Sequence, residues 1–326
     1  MSLRIIKAGL FDTIQDTGRN GFQHLGINPA GAMDRFSAQL ANALLGKDLD
    51  EAVIEMHFPA GQFLFEKDAV ISLTGADFSA RINGKAIPLD HPVAVRENSL
   101  LQFNHPESGA RCYMAVWNEL SIDKWLDSYS TSQRAGAGGY QGRAFQRYDQ
   151  VGFRKPLVLE KILKGKEFLV LPWKSQEAVE KNRNEIQFII GSEWFWLEKE
   201  MQEAFQNHWY QVTNESDRMG YRLAGPVLNT SVQEQLVSTA ASFGTVQLLP
   251  SGQLIVLMAD HQTTGGYPRI AHVITAHLPL LAQKKPNDVM RFMITDLNTA
   301  EEKMEKQQKY LHEIQIASKF RMKTMI

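Results

Sequence analysis

Residues 255–270 read Ile-Val-Leu-Met-Ala-Asp-His-Gln-Thr-Thr-Gly-Gly-Tyr-Pro-Arg-Ile, and this stretch decides how the rest of the chain is interpreted. Its first five residues are an unbroken apolar run, which predicts a buried β-strand with both faces covered. Five polar residues then share a loop with Gly265 and Gly266, which permit backbone conformations closed to other residues. A buried strand that leads into a polar glycine loop is typical of a binding surface; an ordinary polar hairpin loop is the alternative.

Short strands continue on both sides of this stretch, and helices are few. Asp34 as N-cap and Gly46 as C-terminal glycine predict one helix, and the capping-box spacing of Thr299 and Glu302 predicts another at the carboxyl end. A short helix is predicted over 122–126. Apolar or alternating runs predict strands over 3–6, 11–17, 69–74, 80–82, 93–95, 100–103, 112–116, 168–171 and 186–190. Many short strands with few helices favour a mostly β barrel or sandwich.

The two halves of the chain echo each other in sequence. Gly18-Arg19-Asn20-Gly21-Phe22 matches Asp217-Arg218-Met219-Gly220-Tyr221 in its arginine, second glycine and aromatic residue. The predicted strand 71–77 also ends in Ala-Asp, as the run 255–260 does. Repeated motifs in one order predict a duplicated β-barrel unit. We therefore expect a first β-barrel domain over 1–117, a crossover segment with a glycine loop over 118–185, a second β-barrel domain over 186–298 and a helical tail over 299–326.

Composition excludes several classes of protein. The 326 residues are 44% hydrophobic and 22% charged, with a formal net charge of -1, so the clustered basic excess needed for nucleic acid or an anionic membrane is absent. The single cysteine, Cys112, rules out an intramolecular disulfide and is interpreted as a small core residue. No apolar stretch has the length of a signal-peptide core or membrane span. We expect a cytoplasmic protein.

Four charged residues are candidates for a site in the duplicated barrels. Arg19 and Arg218 occupy matching positions beside glycines, and their guanidinium groups suit a carboxylate or phosphate; holding their own loop by bonds to main-chain carbonyls is the alternative. Asp77 and Asp260 end the two similar strands and are the candidate catalytic residues, as acid, base or orienting group. Capping a turn is the alternative for each aspartate.

Neutral polar residues complete the candidate substrate site. Hydrogen bonds of the kind that hold an amide or lactam are available from Asn28, Gln247, Gln262, Thr263 and Thr264, with Gly265, Gly266 and the flat ring of Tyr267 beside them. The histidines have no metal-type spacing, so no metal site is predicted. The glycine-rich loop 136–143 lacks the Gly-Lys-Ser/Thr ending of a phosphate loop, and a flexible connector or an Arg143 clamp on a carboxylate is expected there.

Several long motifs together resemble one family. These are Gln15-Asp16-Thr17-Gly18-Arg19, Gly26-Ile27-Asn28-Pro29-Ala30-Gly31-Ala32-Met33-Asp34, Leu73-Thr74-Gly75-Ala76-Asp77, Ser216-Asp217-Arg218-Met219-Gly220-Tyr221-Arg222-Leu223 and Gln262-Thr263-Thr264-Gly265-Gly266-Tyr267-Pro268. They resemble the KipA family, also called allophanate hydrolase subunit 2 or the biotin-dependent carboxyltransferase family. The resemblance implies two tandem cyclophilin-like β-barrel domains with a few short helices and a C-terminal helix.

The resemblance also implies a function. It indicates the C subunit of an ATP-dependent 5-oxoprolinase, which converts 5-oxo-L-proline to L-glutamate together with a KipI-like subunit and a lactam-utilisation-type subunit. ATP would be a cofactor of the assembled complex, and the chain alone would be inactive. Tyr129 stands where the family usually has arginine, which argues against biotin handling. The alternatives are a carboxyltransferase or allophanate hydrolase-type subunit of a urea amidolyase-like system, and a non-catalytic KipI antagonist that regulates a sensor kinase.

Overall fold

The protein is mostly β and divides into two compact units. The computed structural model describes residues 2–176, 184–230, 232 and 236–325. Unit 1 comprises Met1–Arg19, Asp34–Glu177 and Gln308–Ile326, and unit 2 comprises Asn20–Met33 and Ala178–Gln307. The mostly β fold predicted from the sequence is confirmed.

Unit 1 consists of two sheets that enclose one apolar core. The sheet orders are β11-β1-β4-β9-β6-β7 and β12-β8-β5-β10-β3-β2. The strands are β1 (Leu3–Lys7), β2 (Thr13–Gln15), β3 (Val53–His57), β4 (Gln62–Phe65), β5 (Ala69–Asp77), β6 (Ala80–Ile82), β7 (Lys85–Ala86), β8 (Pro92–Val95), β9 (Ser99–Phe103), β10 (Ser108–Val116), β11 (Gln150–Val151) and β12 (Phe168–Val170). Alternate residues of these strands, such as Ile54, Phe63 and Met114, are fully buried in the core. Cys112 lies there too, as predicted.

The first helix, α1 (Arg35–Leu44), begins and ends where the sequence predicts. The Asp34 carboxylate accepts the Ser37 N–H at 2.8 Å, which satisfies a donor at the helix start. Gly46 follows with a φ of 65°, and its N–H donates to the Ala43 carbonyl at 2.9 Å. The Thr74 hydroxyl of β5 donates to the Ser37 carbonyl at 2.6 Å, so α1 packs on this sheet.

The segment after β10 differs from its prediction in two ways. The helix predicted over 122–126 is wrong, because Leu126 and Asp127 have φ values of 50° and 60° and form a tight turn between Trp125 and Ser128. A short helix, α2 (Glu160–Leu163), occurs farther along instead. Strands β11 and β12 pair with β1 and β8, so this segment contributes to both sheets of unit 1. Residues 177–183 of the predicted crossover lie outside the described residues.

Unit 2 contains a closed barrel whose strand order is β13-β20-β17-β18-β15-β14-β21. Fully buried side chains such as Phe188, Val246 and Phe292 fill its core. A two-stranded ribbon, β16-β19, lies outside the barrel. The elements are β13 (Glu185–Ile190), α3 (Lys199–Asn207), β14 (Tyr210–Val212), β15 (Gly220–Ala224), β16 (Thr239–Ala240), β17 (Thr245–Leu248), β18 (Leu254–Leu257), β19 (Thr264–Gly265), β20 (Arg269–Val273), α4 (Leu278–Ala282) and β21 (Val289–Ile294).

The carboxyl-terminal helix, α5 (Leu297–Met325), starts earlier than the sequence predicts. The Asp296 carboxylate accepts the N–H and the hydroxyl of Thr299, at 2.9 and 2.8 Å, so the predicted capping box at Thr299 and Glu302 is wrong. Farther along, Leu311 joins Leu40 and Leu44 of α1 in a small apolar cluster. This contact orders the last part of the helix within unit 1.

The sequence echo is not matched by local structure. Gly18–Phe22 is irregular and leads to a short 3-10 helix (Gln23–Leu25), whereas Gly220 and Tyr221 begin strand β15. Asp77 is the last residue of β5, whereas Asp260 lies three residues beyond the end of β18. Similar residues therefore occupy different backbone settings.

Candidate functional site

Arg218 and Asp260 form a bidentate ion pair in unit 2. Arg218 donates from Nε and Nη2 to the two carboxylate oxygens of Asp260, at 2.8 and 3.0 Å. The Asp260 N–H donates in turn to the Arg218 carbonyl at 2.8 Å. The turn after β18 and the residues before β15 are thereby tied together. A bidentate pair of this kind fixes the orientation of both the guanidinium group and the carboxylate.

Two residues of the segment 20–33 also contact this pair. Arg218 Nη2 donates to the Gly31 carbonyl at 2.7 Å, and Asn28 Nδ2 donates to the Asp260 carbonyl at 3.2 Å. The Arg218 and Asp260 side chains are 10% and 18% exposed. The guanidinium is therefore held on two sides in a partly buried setting, where its interaction with an anion is stronger than in bulk water. Because Asp260 is engaged in the pair, its geometry suits an orienting group better than a base.

Gln247 and Gln262 meet at Gly265. Gln247 lies on β17, is 1% exposed, and its Nε2 has no hydrogen-bond partner among the described residues. A Cβ built on Gly265 would lie 2.6 Å from Gln247 Nε2 and 3.4 Å from Gln262 Nε2. A larger residue at position 265 would therefore displace the Gln247 amide, whereas the Gln262 amide lies at ordinary contact distance.

The remaining predicted residues of this loop belong to the ribbon and its exit. Thr264 and Gly265 form β19 and pair with β16, while the Thr263 carbonyl accepts the Ala241 N–H at 3.0 Å. Gly266 follows β19, and Tyr267 is 41% exposed. The structure thus brings the 262–267 loop onto Gln247. The roles predicted for these residues in substrate binding stay predictions.

A further polar cluster next to Gln247 was not predicted from the sequence. Arg269 donates to the Glu193 carboxylate from its backbone N, Nε and Nη2, at 2.8, 3.0 and 2.8 Å. Burial raises the pKa of Glu193, but the hydrogen bonds from Arg269 outweigh it and hold the pKa below its usual range. The signal available in the sequence was the position of Arg269 directly after the Tyr-Pro motif.

His272 extends this cluster along β20. Its Nδ1 lies 3.2 Å from the Thr245 hydroxyl, which lies 3.1 Å from the Ser242 hydroxyl. Burial, followed by the positive charge of Arg269, lowers the pKa of His272, so the imidazole is neutral at neutral pH.

Arg19 and Asp77 belong to unit 1. Arg19 is 1% exposed, donates from Nη2 to the Ser130 carbonyl, and lies with its guanidinium carbon 4.6 Å from the centre of the Trp125 ring. The Asp77 carboxylate accepts the Ser79 N–H at 2.7 Å, as in a capped turn. Both geometries match the structural alternatives, a loop-holding arginine and a turn-capping aspartate.

The glycine-rich loop of unit 1 does not fit a phosphate group. The N–H groups of Gly136, Ala137, Gly139 and Gly142 each donate to a backbone carbonyl. Arg143 is bidentate with Asp149, at 2.6 and 2.9 Å. A phosphate cradle needs convergent N–H donors that no carbonyl has taken.

The described part of the chain contains neither a metal-binding cluster nor a membrane-spanning helix. Within it, no group of three or more His, Cys, Asp or Glu side chains is placed to hold a metal ion. None of the helices described combines the length and apolarity that crossing a bilayer requires.

Comparison with known proteins gives consistent matches along nearly the whole chain. The sequence model of the family described as carboxyltransferase domain, subdomains A and B, matches residues 25–294. The protein named as the C subunit of 5-oxoprolinase from Escherichia coli (strain K12) is 33% identical over 312 residues, which are 96% of this chain and 97% of that protein. Its namesake from Haemophilus influenzae is 34% identical over 304 residues, covering 93% of this chain and 94% of that protein.

A solved structure shows the same fold. The crystal structure of the K. lactis urea amidolyase superimposes with a TM-score of 0.86 and 23% sequence identity. The match covers 96% of this chain and 20% of the amidolyase chain, so this chain spans about a fifth of that protein.

Proposed function

This chain belongs to the carboxyltransferase domain family, subdomains A and B, and from that premise we propose that it is the C subunit of an ATP-dependent 5-oxoprolinase. The reaction opens the lactam of 5-oxo-L-proline to L-glutamate, adding one water across the C–N bond while ATP is hydrolysed to ADP and phosphate. The observation that carries this proposal is the match to the C subunit of 5-oxoprolinase over 96% of this chain and 97% of that protein.

The proposed enzyme contains partner subunits. We assign to it a KipI-like subunit and a lactam-utilisation-type subunit, since a protein named as one lettered subunit works within a larger assembly. ATP binding is assigned to a partner, because the hydrogen bonds inside the glycine-rich loop 136–143 leave that loop unsuited to a phosphate. This chain alone is then inactive.

Arg218 is the residue proposed to bind the charged part of the substrate. The 5-oxoproline ring carries a carboxylate, and a guanidinium already oriented by Asp260 and the Gly31 carbonyl loses little freedom on binding it. Asp260 acts here as a positioning residue. Neutral donors of the 262–267 loop suit the lactam, whose carbonyl is uncharged.

Reconstitution of the complex tests this function. We expect a mixture of the chain, both partner subunits and ATP to form glutamate from 5-oxo-L-proline, and omission of any component to abolish it. Arg218→Ala should lower kcat/KM about 100-fold, as loss of a charged substrate contact does. Arg222→Ala on strand β15 is the control, since Arg222 is 47% exposed and lies 3.6 Å from Glu215. Assembly of the full complex without glutamate formation would reject the proposal.

A carboxyltransferase acting on an amide such as urea is the second candidate. The description of the matching family favours it. Transfer of a carboxyl group from a carboxybiotin carrier to urea, with no glutamate formed from 5-oxo-L-proline, would select this function over the first.

A further inference from the structure

Three side chains at the start of strand β17 in unit 2 form a chain of hydrogen-bonding groups. Ser242 Oγ lies 3.1 Å from Thr245 Oγ1, which lies 3.2 Å from His272 Nδ1. Ser242 is exposed, Thr245 is fully buried and His272 is partly buried. The buried threonine hydroxyl therefore connects an accessible serine hydroxyl to an imidazole.

The polarity of these groups allows a proton to move along the chain. A hydroxyl group donates one hydrogen bond and accepts two. Thr245 Oγ1 accepts the Ser242 N–H at 3.3 Å, which leaves one lone pair for the Ser242 hydroxyl. Thr245 then donates its own proton to His272 Nδ1 in the imidazole tautomer that carries its proton on Nε2. Ser242 is the donor at one end and His272 the acceptor at the other.

His272 is available as a proton acceptor at neutral pH. Two charged groups act on it, Arg269 from the same strand and Glu193 from the segment before α3. The neighbouring strands β17 and β13 place the uncharged residues Thr245 and Ile189 opposite it. Burial and the positive charge of Arg269 lower the pKa of His272, and Glu193 opposes them only in part. The imidazole is therefore uncharged and can take a proton.

The backbone is hydrogen-bonded on both sides of Ser242. The Ala241 N–H donates to the Thr263 carbonyl at 3.0 Å, and the Gly244 N–H donates to the Leu257 carbonyl at 2.8 Å. Gly244 has a φ of 86°, which turns the chain into β17. This backbone presents the Ser242 hydroxyl at the surface, where a small molecule reaches it directly. A hydroxyl held beside its proton acceptor is the arrangement that activates a nucleophile.

We propose that Ser242 is an acyl-accepting hydroxyl that His272 activates through Thr245, and that it takes the acyl group of small activated carboxylic esters. The Ser242 oxygen forms a bond to the ester carbonyl carbon, and the bond from that carbon to the leaving-group oxygen breaks. The Ser242 proton passes through Thr245 to His272, which releases it to the leaving group or to water. This reaction needs neither ATP nor a partner subunit, so the inference goes beyond the proposed function.

The test treats the purified full chain with p-nitrophenyl acetate at neutral pH and locates acetyl groups by peptide mass spectrometry. We expect one acetyl group on Ser242, formed together with free p-nitrophenolate. Ser242→Ala should abolish this acetylation. His272→Gln and Thr245→Val should each slow it at least about tenfold, because assistance by the base is lost. Thr245→Ser keeps the hydroxyl and should retain the rate, which separates loss of the relay from loss of packing.

Ser251→Ala is the matched control. Ser251 is an exposed serine in the turn between β17 and β18, so its removal should leave acetylation of Ser242 unchanged. Absence of an acetyl group on Ser242 would overturn the inference. Equal rates for the parent, His272→Gln and Thr245→Val would also overturn it, since the three groups would then serve only to stabilise the turn. Glutamate formation by the reconstituted complex reports on the proposed function alone, so the two results are independent.

Discussion

A carboxylate of unit 1 and an amide of unit 2 differ in how far the protein satisfies their polar atoms. In unit 1, the Asp16 carboxylate accepts hydrogen bonds from Gly18, Ser128, Tyr129 and Ser130, while Arg19 bonds the Ser130 carbonyl. In unit 2, the buried Gln247 Nε2 has no partner among the described residues. Networks whose groups satisfy one another hold a fold together, whereas a buried donor without a partner costs stability. The contrast holds for these two groups alone, since Gln15 Oε1 and Asn42 Oδ1 of unit 1 also have no partner among the described residues.

Arg19→Met should have the largest effect on stability. The substitution removes a fully buried guanidinium from the Trp125 ring and leaves the Ser130 carbonyl without its donor. We expect the free energy of unfolding to fall by about 4 kcal/mol, about half from the desolvated cation–π contact and about half from the unpaired carbonyl. Urea denaturation measures it.

Arg147→Met is the control for the buried arginine. Arg147 lies 4.6 Å from the centre of the Tyr148 ring, and that tyrosine is 65% exposed. An exposed cation–π contact contributes about 0.5–1 kcal/mol, so this variant should be nearly as stable as the parent. An equal decrease in the free energy of unfolding for Arg19→Met and Arg147→Met would show that burial does not make Arg19 more important for stability.

Asp12→Asn should reveal a buried titrating group in unit 1. Burial raises the pKa of Asp12 from 3.8 to about 7. Hydrogen bonds from the backbone N–H groups of Gly61, Gly9 and His57 favour the ionised carboxylate and only partly oppose this rise. The folded state holds the proton more tightly than the unfolded state, so this contribution to stability is complete below pH 3.8 and is lost as pH rises through about 7. When the pH rises from about 5 to about 8, the free energy of unfolding of the parent should fall by roughly 2.5 kcal/mol. The variant has no carboxyl group at this position and should not show this fall.

The measurement is the difference in unfolding free energy between variant and parent at the two pH values. Asp123→Asn, at an exposed position, provides the control and should show no change in this difference. A difference for Asp12→Asn that does not vary with pH would mean that the carboxyl group is already ionised in the folded protein.

The Arg218 and Asp260 pair should show an intermediate effect in unit 2. Each single alanine variant leaves a partly buried charge without the other, so a double-mutant cycle should give a coupling energy of about 2 kcal/mol. Urea denaturation of the two single variants and the double variant measures it. A coupling near zero would show that the pair is solvated and does not orient Arg218.

The features that could be predicted from the sequence are those that depend on neighbouring residues. The N-cap at Asp34 and the core position of Cys112 depend on neighbouring residues and strand alternation, so both are readable from the chain. The Glu193 and Arg269 pair joins residues 76 apart, and the Tyr-Pro motif before Arg269 does not indicate Glu193 as its partner. Likewise, Gly265 of the ribbon packs against the Gln247 side chain 18 residues earlier in the chain, and only the folded structure reveals this contact.

The smallest effect on stability is expected from Gly265→Ala. Its Cβ would meet the flexible end of Gln247 at 2.6 Å, which can move, so the unfolding free energy should change by less than about 1 kcal/mol. The side-chain amide NMR signals of Gln247 should shift as the amide is displaced. At Gly266 a Cβ would lie 3.2 Å from the Leu236 carbonyl and 3.5 Å from the Ser238 hydroxyl, away from both amides. Gly266→Ala should therefore leave the side-chain amide NMR signals of Gln247 unchanged, and equal shifts in the two variants would show that Gly265 does not pack against Gln247.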